Sequence, residues 1–264
     1  MDSIYNAIAQ GILWGIMGIG LYITFRILRF PDLTTESSFT GGAAVAVTLM
    51  VQGVDPFLST FIAIVVGMLM GLVTGIFMTY FEIPAILSGI TTLTGLYSIN
   101  LRIMDTSNIS LRRVDTVYDI VGKYVDNDIG QRFVIGIAFA LIVILLLHFF
   151  FKTDMGQAMI ATGDNEIMAD SLGISTPRMK RLAVMFANGL IALSGALVAQ
   201  DLGFADINLG VGQVVTAFAS IVIGEVIIRQ TTIGVRFVTI ILGAILYRLL
   251  LIFVLKLGFD PNDF

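Results

Sequence analysis

The stretch FLSTFIAIVVGMLMGLVTGIFMTYF, residues 57–81, carries no charged side chain from one end to the other. About 20 apolar residues in a helix cross a bilayer core, so it reads as a membrane span. Similar segments recur at roughly 4–25, 38–52, 84–104, 132–151, 182–200, 212–228 and 233–256, some of them short for a full crossing. Pro31, Pro56, Pro84 and Pro177 fall between segments, where residues that break helix interiors belong. The 264-residue chain is 57% hydrophobic and 13% charged, and no polar stretch is long enough to fold around its own core. The expected fold is therefore all-α, a polytopic helical bundle forming a single transmembrane domain over residues 1–264. The N-terminal MDSIYNAIAQGILWG lacks a basic leader, so its apolar run reads as a retained span.

Loop charge orients the bundle. If each segment crosses once, a polar island at about 152–181 shares one side with the loops at 26–37, 82–83 and 229–232. That side holds Arg26, Arg29, Lys152, Arg178, Lys180, Arg181, Arg229 and Arg236. The other side holds Arg102, Arg112, Arg113, Lys123, Arg132 and Lys256, diluted by Asp105, Asp115, Asp119, Asp126 and Asp128 in a loop at about 105–131. Basic residues concentrate on cytoplasmic loops, which puts the island inside, and the N-terminus and the tail GFDPNDF outside.

Inventory narrows the chemistry. With no cysteine and one histidine, His148, the chain offers no convergent metal donors, and His148 reads as an interfacial or packed residue. Neither H-E-x-x-H nor G-x-S-x-G occurs, so no catalytic residue is expected. The phosphate-cradling G-x-x-x-x-G-K-[ST] is also missing, so a nucleotide driving transport would be hydrolysed by another subunit. A net charge of -4 argues against a nucleic-acid partner.

Two patterns concern packing. Gly67, Gly71 and Gly75 form a small-residue stripe, read as close intrachain packing before a dimer seam. Phe30-Pro31-Asp32-Leu33 and Phe204-Ala205-Asp206-Ile207 each precede a helix of small residues, one inside and one outside. They are either an inverted-topology repeat of the kind transporters use or a coincidence of a few positions.

The island reads MGQAMIATGDNEIMADSLGIST at 155–176. Asp164, Asn165, Glu166 and Asp170 crowd the start of a short helix, where negative charge suits exposed N–H groups. Gly163 or Asp164 can cap it, and Gly173 fits the left-handed residue beyond its end. Ile167, Met168, Ser171 and Leu172 give it a partly apolar face. From the residues alone, a solvated connector and a docking helix for a cytoplasmic partner stand level.

The run ATGDNEIMADSLGIS at 161–175, followed by RMKRLA and by ANGLIALSGALVAQ at 187–200, resembles the coupling loop of ABC importer permeases of the branched-chain amino acid, ribose and vitamin B12 group. With GLYITFRILRFPDLTTESSFTGGA at 20–43 and ILSGITTLTGLYSINLRIM at 86–104, the whole chain is similar to a permease subfamily associated with tryptophan or tyrosine uptake. The resemblance implies a type II importer fold in the bacterial cell membrane, a second permease copy as a homodimer partner, an ABC ATP-binding subunit and an extracytoplasmic substrate-binding lipoprotein. ATP and Mg would bind to the ATPase and no cofactor to this chain. Gly163, Asp164, Asn165, Glu166, Ala169, Leu172 and Gly173 would form the coupling helix. Such permeases usually end on a further span, which the tail at 258–264 does not supply.

For the solute route, Ser88, Thr91, Thr94, Tyr97 and Asn100 put hydroxyls and an amide into one span, and Thr91, Thr94 and Ser98 share a helix face. Hydroxyls bonded to their own backbone are one account, a pathway wall the other. Thr35 and Glu36 open the second span, where ordinary capping and presentation of N–H groups to an anion are equally consistent. Glu225 and Arg248 are charges near span ends; pairing or snorkelling is the preferred account. The rival function is an ion-coupled secondary transporter with inverted repeats, in which Glu225 would face a mid-membrane cavity as a relay.

Overall fold

The computed structural model describes residues 2–112, 114–122, 127–229 and 232–256. Its helices are α1 (Asp2–Tyr22), α2 (Thr34–Val51), α3 (Pro56–Thr79), α4 (Ala85–Met104), α5 (Val117–Gly122) and α6 (Asp128–Phe150), then α7 (Asp154–Asp164), α8 (Glu166–Ser171), α9 (Thr176–Leu202), α10 (Gln213–Ile227) and α11 (Ile233–Lys256). A wide π turn, Ile23–Ile27, extends α1. Five helices, α1 with its π turn, α3, α6, α9 and α11, are long and apolar enough to cross a membrane. The other three expected spans differ for distinct reasons: α10 has only 15 residues, α4 is interrupted by hydroxyls, and α2 begins with a polar turn. The expected start of the second span at residue 38 is corrected to Thr34, because Thr34, Thr35, Ser37 and Ser38 are buried inside the bundle.

Burial sorts the helices into centre and rim. In α1 and α9, 78% of the most apolar window is buried, against 28 to 33% in α3, α6 and α11. The rim helices turn Phe61, Leu69, Ile137, Leu141, Leu146 and Phe253 outward, a surface that a bilayer and not water accommodates. Helix α2 is enclosed on nearly all sides, with Phe39, Ala43, Ala44, Ala46 and Val47 fully buried. Only small residues let neighbouring backbones come this close without a hydrophobic drive between helices.

Two three-helix units run in opposite directions. The first is α1, an interruption at 28–33, α2 and α3; the second is α9, an interruption at 203–212, α10 and α11. In each case the first helix of one unit packs antiparallel on the third helix of the other. Gly67, Gly71 and Gly75 of α3 lie against Ala192, Val184 and Arg181 of α9, while Gly11, Gly15 and Gly18 of α1 lie against Ile245, Ile241 and Ile240 of α11. This reciprocal pairing is what a two-fold axis in the membrane plane requires, and the FPDL and FADI motifs occupy the two corresponding interruptions.

The loops group at two ends of the bundle as the order of the segments suggests. At one end, Arg29 pairs with Asp164 of the island at 2.6 Å and Arg26 pairs with Glu225 of α10. At the other, strand β1 (Asn108–Ser110) pairs antiparallel with β2 (Phe204–Asp206), and Arg132 bonds Asp201 at 2.9 Å and Asn6 at 3.3 Å. Arg113, Lys123, Asp126 and the tail at 258–264 lie outside the described residues.

The stripe gives a stability prediction. A Cβ on Gly71 would sit 2.4 Å from the Val184 carbonyl oxygen, whereas one on Gly95 of α4 meets nothing within 4 Å. Gly71→Ala should destabilise the purified protein by about 1–3 kcal/mol, and Gly95→Ala should be neutral or mildly stabilising. Melting curves of the two variants in detergent check this, with a lowered midpoint expected for the first alone.

Candidate functional site

The island folds as two helices meeting at Asn165. The α7 helix starts at Thr153, whose hydroxyl accepts from Gly156 N at 3.3 Å, and runs through Gly163 and Asp164. The capping assignment of the sequence reading is thereby corrected: Asn165 caps α8, its Oδ1 accepting from Met168 N at 3.0 Å, and Gly163 and Asp164 form the last turn of the preceding helix. An extended residue at 165 (φ -154°, ψ 101°) makes that separation. Gly173, at φ +83°, takes the left-handed position after α8, which a glycine adopts without steric cost.

The expected coupling residues divide into anchors and surface. Gly163 is an anchor, since an added Cβ would lie 1.7 Å from the Ile27 carbonyl oxygen; α7 is therefore seated directly on the end of α1. Asp164 pairs with Arg29, Ala169 is buried, and Glu166 accepts from Lys180 Nζ at 2.6 Å and Thr176 Oγ1 at 3.3 Å. Leu172 instead faces outward at 69% exposure, joined by Ile167 at 81% and Met168 at 60%. These last two were recognised in the sequence as an apolar face, but only the burial of Ala169 shows which way that face turns.

The chain enters α2 through an interruption deep in the bundle. Asp32, wholly buried, accepts from Thr34 N at 2.9 Å and from Asn188 Nδ2 of α9 at 2.7 Å, while its own carbonyl accepts from Thr35 Oγ1 at 2.8 Å. Thr34 Oγ1 and Thr74 Oγ1 of α3 share a hydrogen bond of 2.7 Å. Asp32 was read in the sequence only as part of the FPDL motif and Asn188 only within the 187–200 helix, since their sequence separation hides the pairing.

A cavity of about 320 Å³ opens between α2, α4 and the 203–212 interruption. It is lined by Glu36, Ser37, Thr40, Leu93, Thr94, Tyr97, Ser98, Asn100, Ile207 and Val211. Two bonds join α2 to α4 within this lining: Ser37 Oγ donates to Leu93 O at 2.9 Å, and Asn100 Nδ2 donates to Ser37 O at 2.9 Å. Glu36 Oε1 accepts from Gly212 N at 3.0 Å, which brings its carboxylate to the N-terminus of α10. Of the expected pathway residues, Glu36, Thr94, Tyr97 and Asn100 share this lining. Thr35, Ser88 and Thr91 do not: their hydroxyls donate to the carbonyls of Asp32, Ile83 and Leu87. Thr94 donates to Ile90 O, so even within the lining its hydroxyl is partly spent.

Other charges fall into structural settings. Glu225 is paired with Arg26 near the C-terminal end of α10, beside Arg229 and Arg236, and does not line the cavity between α2 and α4. Arg248 lies over the Trp14 ring at 4.3 Å. His148 packs against Gly234. Among the described residues no group of three or more metal-ligating side chains converges. At the end of the bundle that carries β1 and β2, a polar cavity of about 620 Å³ holds Arg112, Asp115, Asp119, Arg132 and Asp201, and burial with the neighbouring Asp201 pushes the Tyr118 hydroxyl well above its ordinary value.

With this geometry in hand, comparison with known proteins is decisive. The family described as "Branched-chain amino acid transport system / permease component" matches residues 3–259. The chain belongs to that permease family. The Tyrosine transport system permease protein of Clostridioides difficile is 40% identical over 263 residues, covering 100% of this permease and 86% of that protein. The Ribose import permease protein RbsC of Haemophilus influenzae is 25% identical, covering 85% of this permease and 69% of its own length. An autoinducer 2 import system permease protein of Yersinia enterocolitica is 30% identical over 72% of this permease and 51% of its own length. No solved structure matches. The permease is thus an all-α, multi-pass cell-membrane protein of the ABC permease class, a class of transport subunits.

The cap of α8 can be tested directly. Asn165→Ala should cost about 1 kcal/mol of local stability. Hydrogen exchange at residues 166–171 should accelerate while α9 remains protected.

Proposed function

We propose that the permease is the membrane subunit of an ATP-driven importer, with a separate ATPase docked on α8. The observation that carries this reading is the exposure of Ile167, Met168 and Leu172 on a helix seated against α1 at the basic end of the bundle. Such an apolar cluster in water, rimmed by charge, suits a hydrophobic groove on a partner protein. ATP and Mg bind to that ATPase. The name of the Clostridioides difficile relative supports a small amino acid, including an aromatic one, as the solute, delivered by an extracytoplasmic binding protein.

A second copy of the chain completes the route. Thr91, Thr94, Gly95 and Ser98 form an exposed stripe along α4, beside exposed Tyr97. Hydroxyls and an open glycine on a membrane helix are better matched to water or to a partner's polar face than to lipid. Two such stripes facing one another would bound an aqueous passage, with the cavity at Glu36 opening beside it. Alternating access then follows from ATPase movements applied at α8 and α7. The ion-coupled alternative loses its relay, because Glu225 is held by Arg26 away from the cavity.

The docking surface is tested by charge. Leu172→Asp and Ile167→Asp alter exposed side chains, so each should shift folding stability by no more than about 0.5 kcal/mol. Both should lose co-purification with the ATPase and solute uptake in membrane vesicles. Full ATPase retention with wild-type uptake in both variants would overturn the assignment of α8.

A further inference from the structure

The cavity beside α4 is chemically lopsided. One end carries the Glu36 carboxylate, with one oxygen taken by Gly212 N. Among the described residues no Lys or Arg lines the cavity and Glu36 makes no ion pair. Asn100, only 1% exposed and in the same wall, keeps its Oδ1 without a hydrogen-bond donor. The apolar part of the lining is Leu93, Ile207, Val211 and the Tyr97 ring. A carboxylate that has one backbone hydrogen bond and no counter-ion within a membrane bundle is costly, and a cationic group brought to it would relieve that cost.

We infer that this cavity is a selectivity site for primary-ammonium solutes with an apolar or aromatic body, and that Glu36 is the residue that reads the ammonium. The inference rests on the importer reading, which puts the cavity beside the solute's route. Several features fit. A volume of about 320 Å³ lies at the lower end of small-molecule pockets. Gly212, the residue that caps the N-terminus of α10, holds the carboxylate through its N–H, so the acceptor is oriented before a solute arrives. The free oxygen of Glu36 remains to accept a charge-assisted hydrogen bond from the incoming N–H. Hydroxyls of Ser98 and Tyr97 line the same space and can donate to a carboxylate on an α-amino acid. A metal cation is the poorer match, since one carboxylate oxygen among hydroxyls falls short of the six to eight oxygens that calcium takes.

The test compares three probes of one shape: tyramine, L-tyrosine and 3-(4-hydroxyphenyl)propionate, which lacks the amine. Calorimetric titration of the full chain in nanodiscs, without a binding protein, isolates the permease's own preference. Tyramine and L-tyrosine should bind at least about tenfold more tightly than the des-amino probe, the size expected of one charge-assisted hydrogen bond. Glu36→Gln should weaken tyramine by a similar factor, with the melting curve of the ligand-free variant checking that it is folded. Equal binding of the amine and des-amino probes, no binding of any probe, or unchanged tyramine binding in a folded Glu36→Gln protein would overturn the inference. The probe comparison needs only the wild-type chain, so it decides even if the variant does not fold. Glu36-dependent tyramine binding by a chain that holds no ATPase would keep the site and remove the importer reading. ATPase retention without an amine preference would do the reverse.

Discussion

Every backbone N–H and C=O within a bilayer must find a partner inside the protein, and each failure costs several kcal/mol. The interruption between Ile27 and Thr34 is where this constraint presses hardest. The chain leaves α1 through a π turn, with Leu28 N returning to Ile23 O and Phe30 N to Thr24 O, both at 3.1 Å. Arg29 takes a left-handed conformation (φ 60°) at the turn, a strained choice for a residue other than glycine. Asp32 then accepts the first free amide of α2 and is itself held by Asn188. Without that carboxylate and that amide, the start of α2 would have to retreat to the aqueous boundary.

Much of the architecture follows from starting α2 inside. A helix that begins among other helices is covered on all sides, so it must be built of Gly, Ala, Ser and Thr, as Thr34–Ala46 largely is. Its close neighbours must also give way, which explains why Gly195 of α9 and Gly210 of the second interruption lie against the Phe39 and Glu36 carbonyls of α2. The second unit repeats the arrangement in the opposite sense, with Gly212 ending its interruption and opening α10. Two carboxylates enter the bundle here: Asp32 of the first interruption, bonded by Thr34 N and Asn188, and Glu36 in the first turn of α2, which the second interruption meets through Gly212 N alone.

Legibility in the sequence tracked the range of the interaction. Spans and the grouping of loops at the two ends of the bundle depend on local hydropathy and on the order of crossings, and the residues at 57–81 or 132–151 could be read directly. The stop at Gly173 was readable because a single residue type fits its backbone. The cap at Asn165 was missed by one or two positions because Gly163, Asp164 and Asn165 are all acceptable caps, and only the seat of Gly163 on Ile27 forces the first two into α7. The hydroxyls of α4 looked alike in sequence. Three-dimensional placement alone separates Thr91, which faces outward, from Ser88, which is buried, and from Tyr97 and Asn100, which line the cavity. Asp32 and Asn188 are 156 positions apart, and no periodicity within either segment points to the other.

The same contrast between tight and loose contacts governs how the island is joined to the bundle. Helix α8 is held by a cap, one buried alanine and a lysine pair, and the pair is exposed enough to contribute little stability. Helix α7, in contrast, touches the end of α1 with no space for a methyl group at Gly163, and none at Gly156 against the Phe150 carbonyl. A displacement of α7 along that contact cannot be absorbed by repacking, because the opposing atoms are backbone. It must move the end of α1, and the end of α1 is the π turn that leads into the Asp32 interruption. From there the next fixed bonds are Asn188 in α9 and Thr74 in α3, the helices that frame α2. A force on the island therefore meets backbone at Gly163 and then the one stretch of the first unit where the helix ladder is already broken.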